Sequence, residues 1–347
     1  MSTPPRLEIQ SSPGLAEWMH THALALAFTT YQIGKLFLVG SPGDGRLSFF
    51  ERTFNRAMGL WSDGETLLMS SLFQIWRFEN MLRPDQVHQG YDRLYVPRIG
   101  YTTGDLDIHD LGLDARGRVV FANTLFNCLS TLDGRHSFVP LWTPPWISRI
   151  VPEDRCHLNG FAMVDGEPGY ATVVARSDVS DGWREHRRAG GCVVDVRTND
   201  VVATGLAMPH SPRVHDGRLW LLEAGSGRFG AVDLARGTFD PIAFCPGFLR
   251  GLAFVGPYAI LGTSRHRENR TFEGLPLEDE LRARGMQATC GLQVVDTRTG
   301  EVLHWLRLEG LVAELYDVAV LPGCRRPMAL GFVSDEIQKI LHVGPGG

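Results

Sequence analysis

Asn159-Gly160-Phe161-Ala162-Met163-Val164-Asp165-Gly166 and, 51 residues on, His210-Ser211-Pro212-Arg213-Val214-His215-Asp216-Gly217 follow one pattern. In both, a polar residue, a small residue, a strand-like run and an Asp-Gly turn stand at the same offsets. The opening of this phrase recurs at Met58-Gly59-Leu60, His109-Asp110-Leu111, Arg250-Gly251-Leu252 and Tyr316-Asp317-Val318. From Gly59 onward, the small or acidic residue returns after 51, 50, 51, 40 and 66 residues. Shared internal offsets, beyond near-equal spacing, mark a true repeat. A repeat of this length with about four short strands per unit is the signature of a β-propeller. Six phrases predict an all-β, six-bladed propeller.

Outward from the phrases, the chain divides unevenly. Residues 1–26 read as a polar leader with a short helix over Gly14 to Leu26, and residues 27–347 as one propeller domain. Strand signals at Ala27–Tyr31, Lys35–Gly40 and Arg46–Arg52 precede the first phrase, whereas the last unit, from Tyr316, is short. The N-terminal strands are therefore expected to complete the last blade, which removes two exposed sheet edges. One insertion, 263–290, breaks the rhythm. Its second half reads as a short helix, with Pro276 early, acids in the first turn, arginines in the last and Gly285 as its stop.

Composition narrows the function classes. Of 347 residues, 44% are hydrophobic and 21% charged, so a large core is available. The net charge of −5 provides no basic field for a phosphate backbone, and nucleic acid is not an expected partner. Cys128, Cys156, Cys192, Cys245, Cys290 and Cys324 stand far apart, without the paired spacing of a zinc knuckle or a redox dithiol. No secretory signal and no run of eighteen apolar residues is evident, so the expectation is a cytoplasmic protein without a membrane partner. Gly225-Ser226-Gly227-Arg228-Phe229-Gly230 matches GxGxxG but precedes a strand, which makes it a turn. Arg184, Arg187 and Arg188 lie in a glycine-flanked stretch that reads as a solvated loop.

The innermost strand of a propeller blade starts beside the central channel. Equivalent phrase positions should therefore converge, placing Met58, His109, Asn159, His210, Arg250 and Tyr316 in one ring, flanked by His157, Asp110, Arg213, Ser211 and Asp317. Buried polar groups are costly unless partnered, so this ring is either a hydrogen-bond network or a ligand site. Two chemistries suit it. In one, His109, His157 and His210 present three imidazoles to a divalent transition metal. In the other, His109 or His210 acts as general base, oriented by Asp110 or Asp317, with Tyr316 as acid. Asn159, Arg213 and Arg250 would then bind substrate, the arginines holding a carboxylate or phosphate.

The segments Gly104–Asp110, Asp154–Gly160, His210–Trp220, Phe244–Leu252 and Glu314–Val318 resemble a bacterial family of conserved hypothetical proteins of unknown function, over nearly the whole chain. The resemblance implies a propeller-like fold and no particular activity. The functional expectation is an enzyme of lyase, isomerase or hydrolase type acting on a small anionic or peptide-like molecule at the channel. The alternative is a non-catalytic binding or scaffold propeller.

Overall fold

In the computed structural model, which describes residues 6–265 and 273–344, six sheets stand around an axis. Each begins with the strand that a phrase opens. These inner strands are Leu60–Ser62, Ile108–Leu113, Leu158–Val164, Pro209–His215, Phe248–Val255 and Val318–Pro322. They contact one another in cyclic order, the sixth returning to the first. We number the blades by these strands. Within each blade the four inner to outer strands are antiparallel neighbours; the fourth blade, for example, runs Pro209–His215, Arg218–Glu223, Arg228–Asp233 and Thr238–Phe244. Gly225-Ser226-Gly227 is the turn between its second and third strands.

The sixth blade closes the ring as the sequence predicts. Val318–Pro322 pairs with Leu24–Thr30, followed by Lys35–Gly40 and Ser48–Thr53. The leader, however, is not separate from the propeller. Glu8–Ser11 adds a fifth strand to the fifth blade, with Glu8 opposite Glu309. The helix is confined to Leu15–Thr21, because strand residues begin at Leu24; it buries Leu15, Trp18 and Met19. Pro327–Ala329 adds a parallel strand to the first blade. Both additions cover outer edges that would otherwise template pairing with another chain.

The small or acidic phrase residue lies where the inner strands approach one another, and its identity alternates around the ring. Gly59, Gly160 and Gly251 alternate with Asp110, Ser211 and Asp317. Each acceptor side chain reaches across to the backbone of the next blade. Leu60 N donates to Asp317 Oδ2 (2.8 Å), Phe161 N to Asp110 Oδ2 (3.2 Å) and Gly251 N to Ser211 Oγ (3.0 Å). Glycine is needed between them for space: a Cβ on Gly160 would stand 2.7 Å from Asp110 Oδ2, and one on Gly251 2.7 Å from Asp317 Cα. A second set of latches comes from hydroxyls at the ends of the second strands. Ser70, Thr124 and Ser264 donate to the carbonyls of Ile108 (3.0 Å), Leu158 (2.7 Å) and Leu315 (3.0 Å) on the following blades, and Thr29 donates to Met58.

Gly251 also has a φ of +75°, in the left-handed region. Gly251→Ala should therefore cost both the left-handed penalty and a backbone collision, together at least about 2 kcal/mol. Gly104, φ +78°, has nothing within 4 Å of its would-be Cβ. Gly104→Ala should lose only about 1 kcal/mol. Urea unfolding of the two variants compares these costs, and equal losses would contradict close packing at the ring.

Candidate functional site

The residues entering the inner strands form one mouth of the channel. The backbone there repeats an unusual conformation two positions before the phrase residue: Arg56, Asp107, His157 and Met208 all have φ between 48° and 52°. Non-glycine residues rarely adopt this region, and it recurs where function or packing demands it. Here it turns the carbonyls of Asp107 and Met208 onto the rings of His109 and His210, whose Nδ1 atoms donate to them at 2.9 Å.

The side chains make a continuous series. Trp183 stacks on His157 (centroids 4.1 Å), His157 meets His109 edge-on (4.9 Å), and His109 meets Tyr316 (5.6 Å). The Arg250 guanidinium lies over the Tyr316 ring at 4.7 Å and near the Phe248 ring at 5.2 Å. Phe248 contacts His210 (5.3 Å), and Asn159 Nδ2 lies 3.5 Å from His210 Nδ1 while donating to Pro209 O at 2.9 Å. Five of the six predicted ring residues are thus joined through neighbours. Met58 is buried, with its backbone engaged by Thr29 and Ser70.

Several buried polar atoms in this series have no partner among the described residues: Asn159 Oδ1, His210 Nε2, Tyr316 Oη and Trp183 Nε1. Native interiors rarely leave such groups unpaired. Burial pushes the His109 imidazole down to about 4, with His157 and Arg250 lowering it further against Asp107. Burial, then Arg250, places His210 well below its ordinary value. The Tyr316 phenol is raised well above its own by burial, against Arg250. Asp107, about a third exposed at the rim, is pushed up by burial, but His109, His157, Arg56 and Arg250 outweigh this and hold it below the usual carboxylate value.

Two predicted roles need correction. Asp110 and Asp317 do not orient the histidines, because the Nδ1 atoms of His109 and His210 are taken by backbone carbonyls. Asp110 instead accepts from both Nη atoms of Arg213 (2.8 and 3.0 Å) and from Leu111 N and Phe161 N. Arg213 is thereby committed to Asp110 within the channel and does not join the mouth. Its outer side borders a recess of about 410 Å³ at the opposite end, walled by Trp61, Phe254, Val255 and Val320. The three histidines also fall short of a metal centre: among the described residues, no three His, Cys, Asp or Glu side chains are placed to hold one ion. His157 Nδ1 pairs instead with Asp154 Oδ2 at 2.6 Å.

Residues missed from the sequence are Asp107, Asp154 and Trp183. The first two lie two and five residues before a phrase, within the segments that carry the family resemblance. Trp183 comes from a loop read as solvated; Arg184 and Arg188 there are exposed, but the indole is buried. The insertion helix forms as expected over Pro276–Arg284, with Gly285 left-handed at its end. Leu275, Leu277 and Leu281 pack with Trp183, Met208 and Phe248, so the helix is fixed beside the mouth. The stretch His266–Arg270, read as part of this insertion, lies outside the described residues. No helix among the described residues is long and apolar enough to cross a membrane.

Similarity searches agree with the architecture. A structure titled as a nidogen/laminin complex aligns with a TM-score of 0.53 and 11% identity over 86% of this chain and 99% of its own, which shows the fold alone. A search of curated proteins finds no match. A family model described as a domain of unknown function, DUF4915, matches residues 13–330, from the N-terminal helix to the strand that ends at Ala329. With six phrases, the closed ring and the polar mouth all inside that span, the chain belongs to the DUF4915 family.

Proposed function

We propose that the protein binds a small anionic molecule at the histidine-lined mouth of its channel, and that chemistry there is proton transfer of the lyase, isomerase or hydrolase kind. The observation that carries this reading is the set of buried polar atoms at the mouth without a partner among the described residues, with the Arg250 guanidinium over the Tyr316 ring beside them. A self-contained structural network would pair these atoms with one another. Tyr316, held protonated by burial, can donate a hydrogen bond to the ligand, and His109 can accept a proton. An imidazole with a pKa near 4 is a weak base at neutral pH, which favours recognition as the primary role and turnover as the secondary one. A peptide-like anion and a metabolite-sized acid both fit this description. The scaffold reading predicts no small ligand at all.

The test is thermal stabilisation of the purified protein by a panel of small carboxylates and phosphates. A ligand at a hundred times its Kd should add about 2.7 kcal/mol. Arg250→Gln should weaken binding roughly 10- to 100-fold, the worth of a charge-assisted hydrogen bond, with an unchanged circular dichroism spectrum. Stabilisation that persists in Arg250→Gln would count against the site. So would a panel without any effect, which favours the scaffold.

A further inference from the structure

The tautomers of the mouth histidines restrict what fits there. A backbone carbonyl or a carboxylate only accepts a hydrogen bond, so the ring nitrogen it meets carries the proton. That nitrogen is Nδ1 in all three rings: His109 donates to Asp107 O (2.9 Å), His157 to Asp154 Oδ2 (2.6 Å) and His210 to Met208 O (2.9 Å). In the neutral ring, Nε2 is then a lone pair with no proton to give. Asn159 is fixed by the same logic, because Nδ2 donates to Pro209 O at 2.9 Å and leaves Oδ1 as an acceptor. Burial keeps the His109 and His210 rings neutral, so with Asn159 the mouth offers three acceptors, and Tyr316 Oη and Trp183 Nε1 are donors lacking a partner among the described residues.

A ligand that satisfies this set must bring several donors. Ammonium groups are ill suited, since the Arg250 charge that disfavours imidazolium at His210 disfavours any other cation beside it. Hydroxyls suit both sides, because each donates to an imidazole or amide and accepts from a phenol or indole. Resting on the reading of the mouth as a small-anion site, we infer that its ligand is a polyhydroxylated anion, a sugar acid or sugar phosphate, recognised through hydroxyl donation to His109, His210 and Asn159.

Calorimetric titration of the full chain with gluconate, glucuronate and glucose 6-phosphate tests this, with hexanoate and glutamate as anions that lack hydroxyls. At least one hydroxylated anion should bind roughly ten-fold or more tighter than both controls, the worth of one or two hydrogen bonds. Carboxylate against phosphate preference separates the two sources. His210→Phe keeps the ring shape and should weaken that binding by a similar factor. Independently of any ligand, nitrogen-15 spectra should show His109, His157 and His210 protonated at Nδ1. An Nε2-protonated His109 or His210 overturns the inference, as does failure of all three hydroxylated probes. Binding of hexanoate or glutamate that is equal or tighter and depends on Arg250 also overturns it, while leaving the small-anion site itself intact.

Discussion

Asp110→Ala should destabilise the protein by about 3 kcal/mol, near the lower end of what breaking a buried ion pair costs. The carboxylate, 4% exposed, accepts from both Nη atoms of Arg213 and from the backbone of Leu111 and Phe161. Removing it strands two backbone donors and a guanidinium inside the ring. The lower end applies because the Arg213 side chain is 24% exposed and reaches the recess, where water screens part of its charge. Arg213→Ala alone should also destabilise, since Asp110 and Asp317 lose the cation between them. The double variant should lose less than the sum of the two, because neither charge is then left alone. Urea midpoints with unchanged m-values give all three numbers. A loss below about 1 kcal/mol in Asp110→Ala would mean that the pair is not structural.

Asp110 is thus a structural carboxylate, where the sequence suggests one that orients a histidine. The repeat showed six units, the positions of their inner strands and the closure through the N-terminal strands, because periodic spacing and hairpin turns are local signals. It also made visible that Gly, Asp, Gly, Ser, Gly, Asp follow one another at a single position. What this alternation does depends on backbone partners 40 to 257 residues away, such as Leu60 N on Asp317 and Gly251 N on Ser211. No spacing reveals those contacts. Convergence on an axis locates the histidines, but it does not identify the groups that orient them. The left-handed turns at Asp107 and Met208 bring carbonyls to rings that a carboxylate was expected to hold. Such a backbone is not anticipated at Arg56 or Met208. Trp183 was missed because the exposed arginines around it dominate the composition of its loop.

The second large effect is electrostatic. Burial, and then the charge of Asp110, push the Asp317 carboxyl up to about 7, with Arg213 opposing. The folded protein therefore holds this proton between roughly pH 4 and 7, where the unfolded chain has released it. Stability from this group is highest below pH 4 and is lost as the pH rises, at about 1.4 kcal/mol per unit and on the order of 4 kcal/mol in all. The histidines act in the opposite direction. His109, down at about 4, and His210, well below its ordinary value, are neutral when folded where the unfolded rings still bind protons below pH 6.5, so the His109 contribution grows from about pH 4 to 6.5 and that of His210 grows up to the same pH. With two histidines against one carboxyl, their combined effect is a rise across that window and a fall just above it. Difference curves separate the parts, because His304 and the surface acids are common to every variant. Wild type minus Asp317→Asn should slope downward across the window. The amide also faces the N–H groups of Leu60 and Val318 with only one acceptor, which subtracts a constant at every pH. Wild type minus His109→Phe, His210→Phe should slope upward, at about twice the rate, up to about pH 6.5. Urea unfolding from about pH 4.5 to about pH 7.5 measures both slopes. If Asp317→Asn runs parallel to wild type throughout, Asp317 is ionised in the folded ring, and the channel carries two charged carboxylates around Arg213.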